Sequence, residues 1–198
     1  SEVFTESNVI KKLKGGISIG HHRYGTTGES ALKNVQPLFS ELNFGGVAIA
    51  HNGNLTNTQR LKMQLIDSGA IFQSTSDTEV VLHLLSTAKG DFLDRLNYSL
   101  QSISGAYSFL LMTKNSLIGV RDPYGIRPLV LGKLGDSYVL SSESCGLDII
   151  GAQLIRDVEP GEILIIQNNK IKSIKPFKKT QLRHCLFEYI YFSRPDSI

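Results

Sequence analysis

The chain has 198 residues, of which 41% are hydrophobic and 20% are charged, and its formal net charge is +3. This length and composition predict one globular domain with a sizeable core and room for a short connecting segment. So small a net charge does not indicate binding to nucleic acid or to an acidic membrane, and the basic cluster at residues 175–179 is typical of a solvated connection.

The sequence shows no pattern typical of a membrane-spanning, secreted, disulfide-rich or zinc-binding protein. No apolar run approaches the roughly 18 residues of a membrane-spanning helix, and the first residues carry no charged-then-apolar signal sequence. Cys145 and Cys185 lie far apart, and neither is part of a Cys-x-x-Cys pair, so neither a disulfide framework nor a zinc site is predicted. We expect a soluble, cytoplasmic protein.

The first half of the chain predicts helices joined by loops and short strands. In chain order, the pattern predicts a strand at 17–19, a glycine-rich loop at 20–28, a strand at 47–50, and helices at 56–68 and 91–102. Between these two helices it predicts another, with an apolar face formed by Val80, Val81, Leu84 and Leu85. The spacing of Ser76 and Glu79 predicts a capping box at the start of the second helix.

From residue 106 onward the pattern changes to short strands joined by turns. Apolar alternation predicts strands at 107–113, 117–121, 129–131, 138–142, 162–167 and 170–174, with a short helix near 146–150. We expect these strands to form an antiparallel meander. Helices in the first half and strands in the second favour an α+β fold, with helices covering antiparallel sheet, over a parallel doubly wound fold.

The stretch 46–54 runs from a buried strand into an asparagine–glycine pair, Asn52 and Gly53. Asn-Gly is the commonest two-residue hairpin turn, but the helical spacing of the apolar residues that follow argues against a return strand. The Asn52 side-chain amide and the Gly53 backbone N–H could instead stabilise negative charge on a substrate carbonyl oxygen, as in an oxyanion hole.

Three further side chains could bind the two ends of an amino acid. Arg23 has a planar fork that suits a carboxylate, and Thr26 could add a hydroxyl to the same group. Asp77, at the start of a predicted helix, suits an ammonium group. Taken singly, Arg23 is more often a surface residue and Asp77 more often a carboxylate that favours the helix dipole. Together with Asn52 and Gly53, they indicate a pocket for glutamine.

Six motifs follow one another along the chain: GHHRYGTTG (20–28), NVQP (34–37), HNGN (51–54), STSDTE (74–79), RDPYGIRPL (121–129) and SESC (142–145). Their residues, order and spacing resemble the class II glutamine amidotransferase domain, a member of the N-terminal nucleophile hydrolase superfamily. The resemblance covers nearly the whole chain. It implies a four-layer α/β/β/α sandwich, incomplete at its N-terminus, with residues 1–180 as the amidotransferase domain.

The resemblance implies a role for each candidate site residue. Arg23, with help from Thr26, would hold the glutamine carboxylate, and Asp77 would hold the α-amino group. Asn52 and Gly53 would form the oxyanion hole.

Two other parts of these motifs are assigned less directly. Tyr24 matches a tyrosine near the path between two active sites and would gate or couple them, and packing of its ring against the loop remains an alternative. The turn at 122–127 is interpreted as scaffold, because its proline and glycine favour turn geometry and its charges can pair locally.

Residues 187–197 resemble the connection from such a domain into a phosphoribosyltransferase domain, so 181–198 is interpreted as that connection. This implies that glutamine is hydrolysed and that the ammonia attacks phosphoribosyl pyrophosphate, giving 5-phosphoribosylamine for de novo purine biosynthesis. It also implies magnesium in the second domain. Cys185 falls where some relatives have an iron–sulfur ligand, but others have a cysteine there and no cluster, so a small buried thiol is favoured.

Two alternatives remain at this point. The first is another class II amidotransferase that feeds ammonia to an amino-sugar or amide-forming synthase, against which residues 187–197 argue. The second is an amino-acid-binding module without catalysis, which has lost its nucleophile.

The family's chemistry needs an amino-terminal cysteine whose thiol attacks the glutamine amide while its own α-amine moves the proton. Ser1 matches an internal stretch of the family instead, and Cys145 and Cys185 lack a free amine. We therefore expect a fragment of a longer enzyme. Sheet edges left uncovered in such a fragment would favour association with other copies, and a homo-oligomer is expected.

We predict that the isolated chain releases no ammonia from glutamine above the uncatalysed rate, because the family's terminal cysteine is absent from it. Incubation with glutamine followed by an ammonia assay measures this. Turnover well above the uncatalysed rate would show that another residue acts as the nucleophile.

Overall fold

The computed structural model describes residues 11–22, 32–177, 180–181, 183, 185 and 196–197. The longer helices within these ranges are α1 (Thr58–Asp67), α2 (Thr78–Thr87), α3 (Phe92–Ser102) and α4 (Ser144–Ile149). The strands are β1 (Leu38–Leu42), β2 (Gly45–Leu55), β3 (Gly105–Met112), β4 (Ser116–Arg121), β5 (Val130–Leu134), β6 (Ser137–Ser141), β7 (Gln153–Asp157), β8 (Ile163–Gln167) and β9 (Lys170–Ile174). None of the described helices is long and apolar enough to cross a membrane.

The strands form two antiparallel sheets. The larger has the order β1-β2-β3-β4-β8-β9, and the smaller has the order β6-β5-β7. The prediction of antiparallel strands is confirmed, but the prediction of a single meander is wrong. After β4 the chain leaves the large sheet, builds the small one, and then returns to pair β8 with β4, a non-local pairing that alternation within single strands does not reveal.

Side-chain alternation along β8 shows how the layers stack. Ile163 and Ile165 belong to the core between the large sheet and helices α1 to α3, whereas Leu164 and Ile166 belong to the core between the two sheets. On the far side, Leu147 of α4 packs against the small sheet in a third cluster. The order of layers is therefore helices, sheet, sheet, helix, and the predicted α/β/β/α sandwich is confirmed.

Three differences from the predicted elements have physical causes. The predicted strand at 17–19 is not formed, because no described strand pairs with it. Strand β7 was not predicted because four of its five residues are exposed and show no apolar alternation. Strand β2 continues to Leu55, so Asn52 and Gly53 lie within a strand and not at its end.

The predicted capping box between Ser76 and Glu79 is wrong. Helix α2 begins after Asp77, and Glu79 points back along the chain, where its carboxylate accepts the backbone N–H groups of Gln73 and Ser74, each at 2.7 Å. The Ser74 hydroxyl donates to the same carboxylate at 2.6 Å. Burial raises the pKa of Glu79, but these hydrogen bonds and nearby His83 outweigh it, so the pKa lies below its ordinary value.

We predict that Glu79→Gln lowers the free energy of unfolding by about 1.5–3 kcal/mol at pH 7, because charge-assisted hydrogen bonds to the preceding loop are weakened. A carboxylate whose folded-state pKa is depressed stabilises the fold above the unfolded-state value and loses that effect as pH falls through the folded-state value. The difference from wild type should therefore shrink below about pH 4.

Urea unfolding at pH 7 and at pH 3.5 measures this effect. The matched control is Glu41→Gln on β1, because Glu41 is exposed and its replacement should change the unfolding free energy little. A loss for Glu79→Gln that is equally large at both pH values would contradict the assigned role of the charge.

Candidate active site

A cleft of about 970 Å³ opens between the two sheets beside the C-terminal half of β2. Its lining includes His51, Asn52 and Gly53 from β2, Asp77 from the start of α2, and Arg127 from the turn after β4. Three of the residues that the sequence assigns to glutamine therefore share one cavity: Asn52, Gly53 and Asp77.

The other assigned residues lie outside the described part of the chain. These are Arg23, Tyr24 and Thr26, and their roles stay predictions. The residues directly before them, from Gly20 to His22, line the same cleft.

Hydrogen bonds join three of the sequence motifs beside the cleft. The Asn34 side chain donates to the Thr75 hydroxyl at 2.8 Å and accepts the Thr75 backbone N–H at 2.9 Å, which links NVQP to STSDTE. The Gln36 side-chain oxygen accepts the backbone N–H of His51 at 2.6 Å, which links NVQP to HNGN. Distant parts of the sequence thus fix one another's backbones around the end of β2.

Gly53 is required by the neighbouring strand. Its φ is +144°, in a region that favours glycine, and it pairs with Tyr107 on β3. A Cβ atom at this position would lie 2.1 Å from the carbonyl oxygen of Ala106. Any larger residue would therefore push β2 away from β3 and displace the adjacent Asn52.

The Asn52 carboxamide is held by Arg127, whose Nη2 donates to Asn52 Oδ1 at 2.6 Å. A guanidinium has only donors, so the Asn52 atom that faces it must be the amide oxygen. This assigns the positions of the oxygen and the nitrogen in the carboxamide. The amide nitrogen faces the other way and has no hydrogen-bond partner among the described residues. The side chain is thus oriented to donate, which is the property an oxyanion hole needs.

The turn that carries Arg127 is itself rigidly held from within. The carboxylate of Asp122, which is fully buried, accepts the backbone N–H groups of Tyr124 at 3.0 Å, Ile126 at 3.2 Å and Arg127 at 3.1 Å. These contacts agree with the prediction that the turn is scaffold. The predicted pairing of its charged side chains is wrong, because the Asp122 carboxylate accepts backbone N–H groups instead. Sequence reasoning also missed that the Arg127 side chain reaches Asn52.

Asp77 is 7% exposed and joins β2 to α2. Its Oδ2 accepts the backbone N–H of Leu55 at 2.9 Å, and its Oδ1 lies 3.4 Å from His51 Nδ1. Burial raises the pKa of Asp77, but the hydrogen bond and charge of His51 and the N–H groups of Leu55 and Thr78 outweigh it, so the pKa lies below its ordinary value. The group is therefore a fixed negative charge on the cleft wall.

The alternative role of Asp77 in the helix is only partly supported. Asp77 occupies the N-cap position of α2 but makes no side-chain capping hydrogen bond. Each carboxylate oxygen has two lone pairs, so the contacts to β2 leave capacity for a further donor such as a substrate ammonium group.

His51 is a site residue that sequence reasoning quoted in a motif but gave no role. It is 4% exposed, and its ring packs on Phe109 with 4.6 Å between ring centroids. Because the carboxylate of Asp77 can only accept, Nδ1 of His51 carries a proton, and Nε2 has no partner among the described residues. His51 therefore orients Asp77 from inside the core.

The cysteines of this chain do not form a metal centre by themselves. Cys185 is half-buried on the cleft wall, and the thiol of Cys145 lies 3.6 Å from Glu143 Oε2. An iron–sulfur cluster takes four thiolates, whereas the chain has two cysteines. Among the residues that the structure covers, no group of three or more His, Cys, Asp or Glu is placed to hold a metal ion.

Comparison with known proteins identifies the family of the chain. A family model described as "Glutamine amidotransferase domain" matches residues 22–148. The amidophosphoribosyltransferase of Rhizobium etli is 53% identical over 98% of this chain and 40% of its own length, and that of Bacillus subtilis is 48% identical over 100% and 42%. The chain thus spans about two-fifths of the length of these relatives.

Solved structures give the same result. The Bacillus subtilis glutamine phosphoribosylpyrophosphate amidotransferase complexed with ADP and GMP matches with a TM-score of 0.84 and 46% identity, over 90% of this chain and 39% of that one. A structure described as the allosteric regulatory enzyme of purine biosynthesis matches with a TM-score of 0.86 and 47% identity over the same shares. From the motifs, the layer order and these matches, the chain belongs to the glutamine amidotransferase domain family.

Proposed function

We propose that this chain is the glutamine-hydrolysing part of an enzyme that passes the released ammonia to phosphoribosyl pyrophosphate and makes 5-phosphoribosylamine for purine biosynthesis. The observation that carries the proposal is that Asn52, Gly53 and Asp77 line one cleft, with the Asn52 amide oriented as a donor. The relatives at 53% and 48% identity are amidophosphoribosyltransferases, which supports this enzyme over an amidotransferase that serves another synthase.

In this mechanism the α-amino group of glutamine binds the Asp77 carboxylate. The α-carboxylate of glutamine binds Arg23 and Thr26. A cysteine thiol, which the family supplies at its amino terminus, attacks the side-chain amide carbon. As the C=O bond becomes a single bond, negative charge grows on its oxygen, and the N–H groups of Asn52 and Gly53 stabilise it. Ammonia then leaves, and water hydrolyses the thioester to glutamate.

The remaining expectations belong to the longer protein. Tyr24 gates or couples the two sites, magnesium serves the pyrophosphate in the second domain, and the protein is a homo-oligomer. An iron–sulfur cluster that included Cys185 would need thiolates from outside this chain, so no step is assigned to it. The two free cysteines fit a reducing, cytoplasmic location.

We predict that Asn52→Ala in the full-length enzyme lowers kcat for glutamine hydrolysis by about 10²–10³-fold, because an oxyanion donor is lost. The reaction driven by added ammonia should be unchanged, since it bypasses the glutamine site. Steady-state rates with each nitrogen source measure both effects. An Asn52→Ala enzyme with wild-type glutamine hydrolysis would overturn the oxyanion assignment.

We predict that Asp77→Asn raises KM for glutamine by about 10- to 100-fold with a smaller change in kcat, because a charge-assisted contact to the α-amino group is lost. The matched substrate is glutaramate, the same amide without the α-amino group, for which kcat/KM should change little. An equal loss with both substrates would mean that Asp77 acts only by joining β2 to α2.

A further inference from the structure

We infer that Arg127 is a positioning residue for glutamine hydrolysis, which acts by holding the Asn52 carboxamide with its nitrogen available to the developing oxyanion. The inference rests on the proposed function, since it concerns how that oxyanion hole is kept in its active orientation. Arg127 and Asn52 are separated by 75 residues in the chain and joined by a 2.6 Å contact between Nη2 and Oδ1.

A carboxamide needs such a partner because its two ends have opposite properties and nearly the same shape. If the side chain turned over, the oxygen in place of the nitrogen would repel the charge that forms on the substrate. Asn52 lies between solvent and core, so packing alone does not choose between the two orientations. The donor-only guanidinium makes that choice, because it can bind only the oxygen.

Arg127 can impose this orientation because its own backbone is fixed on both sides. Asp122 accepts its N–H at 3.1 Å, and its carbonyl oxygen accepts from Arg121 Nε at 2.9 Å and from the Ser108 hydroxyl at 3.2 Å. Ser108 is also the strand partner of Asn52 across β2 and β3. The turn that carries Arg127 is therefore tied to Ser108 on β3, directly opposite Asn52 on β2, which brings the guanidinium next to the amide oxygen.

The positive charge adds a second effect. A hydrogen bond from a guanidinium to the amide oxygen draws electron density from the amide nitrogen, so that its N–H becomes a stronger donor. This effect grows as charge forms on the substrate and is smaller in the ground state, so its loss should lower kcat more than it raises KM.

The test is a double-mutant cycle on glutamine hydrolysis in the full-length enzyme, with Arg127→Met, Asn52→Ala and the double variant. We expect Arg127→Met to lower kcat by about 10- to 100-fold, less than loss of the donor itself, with KM for glutamine within about threefold of wild type. In the Asn52→Ala background, Arg127→Met should change kcat by less than about twofold, because the group through which it acts is gone.

Two further variants separate positioning from damage to the fold. Arg127→Lys keeps a cationic donor and should retain more activity than Arg127→Met. Arg60→Met, which removes an exposed arginine from α1, should leave kcat at the wild-type value. The reaction driven by added ammonia should be unchanged in every variant, which verifies that the phosphoribosyl pyrophosphate site is intact.

The outcomes distinguish this inference from the proposed function. If Asn52→Ala lowers kcat but Arg127→Met does not, the inference fails while the oxyanion assignment stands. An equal loss from Arg127→Met in both backgrounds would show that Arg127 acts independently of Asn52, which also overturns the inference. If Asn52→Ala itself has no effect, both the oxyanion assignment and the inference about Arg127 are wrong.

Discussion

The hydrogen bond from the Leu55 backbone N–H to the Asp77 carboxylate connects the end of β2 to the beginning of α2, and the cleft depends on it. A carboxylate with 7% exposure is stable in its charged form only where donors surround it, and His51, Leu55 and Thr78 supply them. The same donors fix the direction in which the charge faces the cavity. The carboxylate that joins the sheet to the helix is therefore also the group that the proposed function assigns to the substrate ammonium.

Some of the residues around β2 lower the stability of the fold. Gly53 adopts a backbone conformation that other residues avoid, and β3 passes so close that a Cβ atom cannot be added. His51 buries Nε2 without a described partner, which costs free energy that the contact between Nδ1 and Asp77 offsets in part. Such local costs persist where neighbours hold the backbone firmly, and here pairing along β2 and β3 from Ala48 to Leu55 does so.

Sequence reasoning succeeded where the information was local. The predicted helix at 91–102 matches Phe92–Ser102, because its apolar spacing reports one buried face, and the predicted strand at 170–174 matches Lys170–Ile174. It failed where partners are distant or polar. The capping spacing of Ser76 and Glu79 could not show that Glu79 bonds to Gln73 and Ser74. The grouping of Asn52, Gly53 and Asp77 was predicted from the chemistry of their side chains and was implied again by the family resemblance. The contact of Arg127 with Asn52 has no local signature in the sequence.

Two buried aspartates show how burial and remaining hydrogen-bonding capacity separate a scaffold residue from a site residue. Asp122 is fully buried, and its two oxygens accept the N–H groups of four residues, so it shapes the turn without facing the cleft. Asp77 accepts fewer backbone N–H groups and lines the cavity. In the proposed mechanism, Asp122 therefore contributes by fixing the turn that carries Arg127, whereas Asp77 contacts the substrate directly. That mechanism requires both aspartates, because the Asn52 N–H can stabilise the substrate oxygen only if the glutamine is bound in the matching position.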